Sequence, residues 1–268
     1  MTTTSTSSTI QLGGVTFLTH RPHQFGLVID RPLDLACVAD DYLHGILLTP
    51  ANREALFSLI ETEGLVVCQN VQSDAPTYRK VRGKSCVSKL SQAEYYHHDG
   101  CSSPTKPRVV EIRCPHQAVA RNIATAIAPF PAVIRAMVAS LPPDFRGDDE
   151  LVRVREVFAG PASEHPSAEQ WDPIQGKITR LVRRELDAEG CREYFRRVDA
   201  LAGAYVLPWQ MGESRLMLNS HPDLTRTMQH RRAYQKPRST TEQNGSLVKR
   251  WPAEELDVGC DHLSRPIA

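Results

Sequence analysis

Residues 93–113 read Ala-Glu-Tyr-Tyr-His-His-Asp-Gly-Cys-Ser-Ser-Pro-Thr-Lys-Pro-Arg-Val-Val-Glu-Ile-Arg. At the centre of this stretch His97 and Asp99 are two positions apart. In an extended strand, residues i and i+2 point to the same face. An imidazole and a carboxylate on one face can grip a single ion, with His98 turned away between them. Gly100 frees the backbone to turn, and Val109-Val110-Glu111-Ile112 reads as a second strand. His97 and Asp99 are two-thirds of a 2-His-1-carboxylate set, which holds Fe(II) and leaves coordination positions open. A short triplet of this kind is also a common hydrated surface loop, so the rest of the chain must supply a third ligand. A competing reading takes the adjacent His98-Asp99 as the pair of a helical metal phosphohydrolase. Such a site needs long helices around the pair, whereas Pro104 and Pro107 and the β-branched residues that follow break the flank.

The composition narrows the classes. A chain of 268 residues that is 41% apolar and 24% charged suits a globular protein with a substantial core. A net charge of +1 gives no electrostatic reason to expect nucleic acid or an anionic membrane as partner. The seven cysteines (37, 68, 86, 101, 114, 191 and 260) are odd in number and contain no Cys-x-x-Cys pair. That pattern opposes a disulfide framework or a zinc ribbon and favours a reducing, cytoplasmic setting. No apolar run approaches the roughly 20 residues of a membrane span. Residues 1–9 are polar, rich in Ser and Thr and without an apolar stretch, and they read as a disordered tail rather than a signal peptide. Residues 10–268 read as a single domain.

Short strands are expected at Val15–Leu18 and Gly26–Ile29, at the edge of the fold. From Thr49, Thr-Pro-Ala-Asn-Arg-Glu-Ala-Leu-Phe-Ser-Leu-Ile-Glu-Thr-Glu-Gly reads as a helix. Thr49 is its N-cap, Pro50 takes the first position and Gly64 stands past the end. Leu65–Cys68 is a strand, and Ser73–Val81 reads as a further helix. Val133, Ile134 and Met137 form the inward face of a helix that begins at Pro129 and ends before Pro142-Pro143. Residues 143–173 read as loops with one strand, Leu151–Phe158. The charge-rich segment Lys177–Leu201 reads as two helices divided near Gly190, with its six arginines on a solvated face. Strands then return at Tyr205–Leu207, Trp209–Ser214, Arg215–Asn219 and Leu247–Trp251. Among the late histidines, His221 precedes a proline and reads as a loop residue. His230 suits a strand with its ring inward, and its distance along the chain is no obstacle, because strands of a jelly-roll that face each other are far apart in sequence.

Taken in order, these features resemble the Fe(II)/2-oxoglutarate-dependent oxygenases, in particular the taurine dioxygenase and carbapenem synthase group. The resemblance rests on the helix and strand ending Glu63-Gly64-Leu65-Val66-Val67 and on His97-x-Asp99. It rests also on Thr125 ahead of a proline-bearing helix, and on Gly212-Glu213 with the apolar strand to Asn219 and then His230-x-Arg232. It implies an α+β fold, a double-stranded β-helix (jelly-roll, cupin-like) core with flanking helices. It implies His97, Asp99 and His230 as ligands of Fe(II), 2-oxoglutarate as co-substrate beside Thr125, and consumption of O₂. An arginine would hold the far carboxylate by a bidentate fork. Position 242, where relatives place it, is Glu, which leaves Arg238 and Arg250. Arg250 is preferred as part of the closing strand, with Lys249 facing the other way. Glu213 departs from the usual Asp, and Asn219 lies farther from His230 than in relatives. The reaction implied is hydroxylation of a small metabolite, with desaturation or ring closure as variants and release of succinate and CO₂. The carboxylate ligand opposes a halogenase. Arg82, Arg108 and Arg113 are candidates for an acidic or zwitterionic substrate such as an amino acid or a biosynthetic intermediate. A binding barrel without catalytic iron is the remaining alternative.

Overall fold

The computed structural model describes residues 8–12, 15–21, 25–32, 50–68, 78–80, 95–99, 108–113, 123–142, 149–161, 168–210, 213–235 and 248–252. The strands are β1 (Ser8–Leu12), β2 (Val15–His20), β3 (Leu27–Pro32), β4 (Leu65–Cys68), β5 (Tyr78–Lys80), β6 (Val109–Arg113), β7 (Ile123–Pro129), β8 (Ser214–Leu218), β9 (Met228–Gln235) and β10 (Val248–Pro252). Among the described residues the helices are α1 (Pro50–Glu63), α2 (Phe130–Ala139), α3 (Asp149–Ala159), α4 (Ala168–Glu185) and α5 (Ala188–Leu201), with a 3₁₀ turn at Leu224–Arg226. The fold is therefore α+β. No described helix is long and apolar enough to cross a membrane.

Eight strands form one sheet in the order β1-β2-β3-β4-β8-β6-β10-β5, and β7 pairs with β9 in a second. Single bridges lengthen the smaller sheet on both sides, Tyr205 against Ile127 of β7 and His97 against His230 of β9. Period-two alternation along the strands sorts the apolar residues into layers. On one face of the large sheet, Val66, Leu216 and Leu218 meet Leu56 and Ile60 of α1. On the other face Leu65, Val67, Val110, Ile112 and Met217 meet Ile127, Met228, Tyr205 and Trp209. The far side of the smaller sheet, Ala126 and Ala128, is covered by Phe130, Ile134, Ile178 and Phe195 from α2, α4 and α5. The order of layers is thus helix, large sheet, small sheet, helices.

Several expectations are met. Pro50 opens α1, and Val133, Ile134 and Met137 are buried on α2. β2 and β3 lie toward one end of the large sheet, with β1 as its edge strand, and the six arginines of α4 and α5 are all exposed. Thr49 lies outside the described residues.

Others are corrected. Leu151–Phe158 belongs to a helix, α3. Its Val-Arg-Val-Arg run imitates a strand, yet Leu151, Val154 and Phe158 recur at helical spacing and Val154 is buried in the helical core. Arg155 reaches back from α3 to the carbonyls of Leu141 and Pro142 at 2.9 and 2.5 Å. Tyr78–Lys80, expected within a helix, is a strand; the rest of Ser73–Val81, apart from those three, lies outside the described residues. The break between α4 and α5 falls at Leu186-Asp187 rather than at Gly190, because the Asp187 side chain caps α5 by accepting from the Gly190 N–H. Trp209 and Gln210 are irregular, and of Tyr205–Leu207 only Tyr205 makes a bridge. The tail assigned to residues 1–9 is too long: Ser8 and Thr9 are already paired with Thr19 and Leu18 in β1.

Gly64 joins α1 to β4 at φ +73°, in the left-handed region, and a Cβ there would lie 2.6 Å from Met228 Cε at the head of β9. We expect Gly64→Ala to destabilise the protein by about 1–2 kcal/mol from the backbone conformation alone, with the contact adding to it. The midpoint of urea unfolding measures this loss.

Candidate metal centre

The ribbon 95–99 is extended, and its burial alternates. Tyr96 and His98 are buried, whereas Tyr95, His97 and Asp99 are half-buried. His97 and His230 are joined by reciprocal backbone bonds, His97 N–H to the His230 carbonyl at 3.1 Å and the reverse at 3.2 Å. Residues paired in this way share a face of the sheet. The two rings therefore stand side by side, centroids 4.4 Å apart. Asp99, two residues on from His97, turns its carboxylate to both: Oδ1 lies 3.7 Å from His97 Nε2 and Oδ2 lies 3.8 Å from His230 Nε2. One ligand atom from each of the three residues falls within 4.8 Å of the other two.

The donor chemistry suits a divalent ion. His97 Nδ1 is 2.8 Å from the Tyr95 carbonyl, which accepts its proton and leaves Nε2 with a lone pair toward Asp99. A ring nitrogen held on a carbonyl in this way fixes the tautomer and orientation of a metal-binding histidine. Two neutral imidazoles and one carboxylate form the set that Fe(II) takes in facial-triad sites.

His98 is on the other face. Its Nε2 lies 3.0 Å from Thr227 Oγ1, and its Nδ1 lies 3.3 Å from Gln229 Nε2. The Thr227 hydroxyl donates its one proton to the Leu224 carbonyl at 2.7 Å. It therefore accepts from His98 Nε2–H, and Nδ1 accepts from the Gln229 amide. Both ring nitrogens are engaged away from Asp99, so the adjacent-pair reading of His98-Asp99 has no geometric basis. His221 sits in a turn, Nδ1 accepting from the Asp223 N–H at 3.0 Å.

Asn219 holds Asp99 in place. Its side-chain oxygen accepts from the Asp99 N–H at 2.7 Å and its amide donates to the Asp99 carbonyl at 3.1 Å. Its own N–H reaches the Arg108 carbonyl at 2.7 Å. The sequence marked Asn219 only as part of a resemblance. The physical signal was an amide directly after a five-residue strand that is buried throughout.

Thr125 lies on β7 opposite Arg232 and two residues before Ile127, the partner of His230. Its hydroxyl accepts from Trp209 Nε1 at 3.4 Å. Arg215, wholly buried between the sheets, lies 3.8 Å from the Trp209 ring and 4.8 Å from Tyr205. It donates to Glu213 at 2.5 Å and to the Leu207 carbonyl at 2.8 Å. Burial pushes the Tyr205 phenol up to about 12, with Arg215 opposing and Glu213 reinforcing that shift. Glu213, the departure noted from sequence, is thus the counter-ion of a buried arginine.

The remaining cations fare differently. Arg108 is ion-paired with Glu61. Arg82 and Arg238 lie outside the described residues. In β10, Lys249 stands opposite Ile112 and Arg250 opposite Glu111. Ile112 belongs to the core between the sheets.

Truncating Asn219 strands two backbone groups of the ligand loop. We expect Asn219→Ala to cost about 1–3 kcal/mol in urea unfolding, the usual penalty for buried polar groups left without partners.

No protein-family model matches the chain, and no curated protein matches it. Solved structures resemble it across most of its length. PvcB from Pseudomonas aeruginosa is 12% identical, with a TM-score of 0.40, over 92% of this chain and 90% of that one. A second structure of PvcB, described as an Fe, alpha-ketoglutarate dependent oxygenase from an isonitrile synthetic pathway, is 13% identical with a TM-score of 0.42 over the same shares. Asparagine oxygenase in complex with Fe(II), 2S,3S-3-hydroxyasparagine and succinate is 13% identical, with a TM-score of 0.40, over 81% of this chain and 86% of that one. At these values the likeness is weak and does not decide what this site binds.

Proposed function

We propose that the protein is a non-haem Fe(II)/2-oxoglutarate-dependent oxygenase that oxidises a small metabolite. The observation that carries this reading is the convergence of His97, Asp99 and His230 on one point, a single ligand atom from each within 4.8 Å of the others. The two facing sheets support a jelly-roll core within a single domain. Iron held there would activate O₂, the oxidant, while 2-oxoglutarate would supply two electrons as it is split to succinate and CO₂.

The residues of the chain supply placement. His97, its Nδ1–H held by the Tyr95 carbonyl, presents Nε2. Asp99 is fixed through its main chain by Asn219, and His230 is fixed by the backbone bridge to His97. Thr125, on the same face of β7 as Ile127, contributes a hydroxyl toward the co-substrate. The far carboxylate of the co-substrate takes a cation near the closing strand, Arg250 in preference to Arg238. Hydroxylation is the reaction proposed, on an acidic or zwitterionic compound such as an amino acid.

Anaerobic addition of Fe(II) and 2-oxoglutarate is expected to give a weak visible charge-transfer band. His97→Ala, Asp99→Ala and His230→Ala should each abolish the band and lower succinate release by more than about a hundredfold, beyond the range typical of residues behind the ligands. A wild-type protein with no band and no succinate across a broad substrate set would instead be a binding barrel. Of Arg250→Met and Arg238→Met, the one that raises the KM for 2-oxoglutarate about tenfold or more identifies the carboxylate anchor.

A further inference from the structure

The face of the smaller sheet opposite the metal centre carries a run of buried polar groups that the proposed chemistry does not use. Alternation dictates where they lie. In the antiparallel pair built on His97 and His230, Tyr96 falls beside Arg231 and His98 beside Gln229, all four turned toward the helices. Each of these flanking pairs is closed by one helical side chain.

Asp199 of α5 closes the first. Its Oδ1 accepts from the Tyr96 hydroxyl at 2.7 Å and from Arg231 Nε at 2.8 Å, and its Oδ2 accepts from Arg231 Nη2. Arg231 is 1% exposed and also lies over the Tyr96 and Phe195 rings. Burial, followed by the charge of Asp199, pushes the Tyr96 phenol well above its ordinary value, so it remains a donor. Gln175 of α4 closes the second. Its amide donates to Gln229 Oε1 at 2.7 Å and to the Tyr96 carbonyl at 3.2 Å, and Gln229 donates back to it at 2.8 Å. Gln229 in turn meets His98 Nδ1. Asp199 therefore grips the residue before His97 and the residue after His230. Gln175 grips the residue before each ligand histidine.

We infer that Asp199 and Gln175 are positioning residues of the metal centre, clasping the 95–99 ribbon to β9 from behind and so setting the spacing of His97, Asp99 and His230. This rests on the proposed metal centre and extends it to two residues on helices that touch no ligand. The front face must stay open to the ion and its co-substrate. Side-chain bonds that reinforce the backbone bridge between the two strands therefore fall on the back face, and a carboxylate with a two-pronged arginine gives more directional restraint than apolar packing.

The test is anaerobic titration of the metal-free full chain with Co(II), read by ligand-field absorption, which needs no turnover. Asp199→Asn and Gln175→Leu are expected to weaken Co(II) binding about tenfold or more and to shift the absorption bands. Asp199→Glu should recover part of the affinity, and Tyr96→Phe, which deletes one hydroxyl, should give a smaller effect of the same kind. Leu56→Ala on α1, across the large sheet, is the control for lost stability. If Asp199→Asn does not fold, Gln175→Leu and Tyr96→Phe carry the comparison. Unchanged affinity and spectra in the folded variants, or an equal loss in Leu56→Ala, overturns the clasp while leaving the metal centre standing. A wild-type chain that takes up no Co(II) removes the centre itself, and this inference with it.

Discussion

Two backbone hydrogen bonds, between His97 and His230, are the constraint on which the site depends. They join a short ribbon to a strand far along the chain and fix which residues share a face. Because the side-chain period of a strand is two, a slip of one residue would turn His97 and Asp99 to the helices and bring Tyr96 and His98 forward. The fold must therefore oppose that slip. It does so with apolar residues, since Tyr96 belongs to the helical core, and with polar residues that have partners only in the observed register.

A buried ion pair lies on each side of the smaller sheet, Arg231 of β9 with Asp199 toward the helices and Arg215 of β8 with Glu213 against the large sheet. Buried pairs of this kind are poor sources of net stability, because desolvating both charges offsets most of their attraction. Their effect is directional. Arg215 donates to Glu213, to the Leu207 carbonyl and weakly to the Thr125 carbonyl. A guanidinium bound to three segments is satisfied in few arrangements of the chain. The two pairs define how β7 and β9 sit between their neighbours more than how tightly they are held.

This division explains what could be read from the sequence. His97-x-Asp99 was legible because one spacing rule places both side chains together. His230 was legible as a histidine inside a strand pattern. α1 and α2 were legible from their end signals and helical spacing, and β4, β6 and β8 as short, mainly apolar stretches. α3 was not, because Val-Arg-Val-Arg satisfies a two-residue period locally while Val154 and Phe158 satisfy the helical one. Asp199 and Gln175 were hidden for a different reason. In the charge-rich stretch 177–201 an aspartate looks like one more solvated residue, and only the fold shows that its partner, Arg231, comes from β9.

The helical layer behind the smaller sheet thus has two duties. Its apolar residues, Phe130, Ile178 and Phe195 among them, bury the back of the sheet, and that would be enough to cover a core. Covering alone leaves the two ligand strands free to adjust their offset by fractions of an ångström, since apolar contacts have little directionality. Three candidate ligand atoms within 4.8 Å of one another keep that spacing only while the offset is fixed, and hydrogen bonds with definite partners can fix it. The polar groups buried at Tyr96, His98, Gln229 and Arg231 are therefore explained together: they stand opposite the ligands because the same alternation that turns a ligand forward turns its neighbour back.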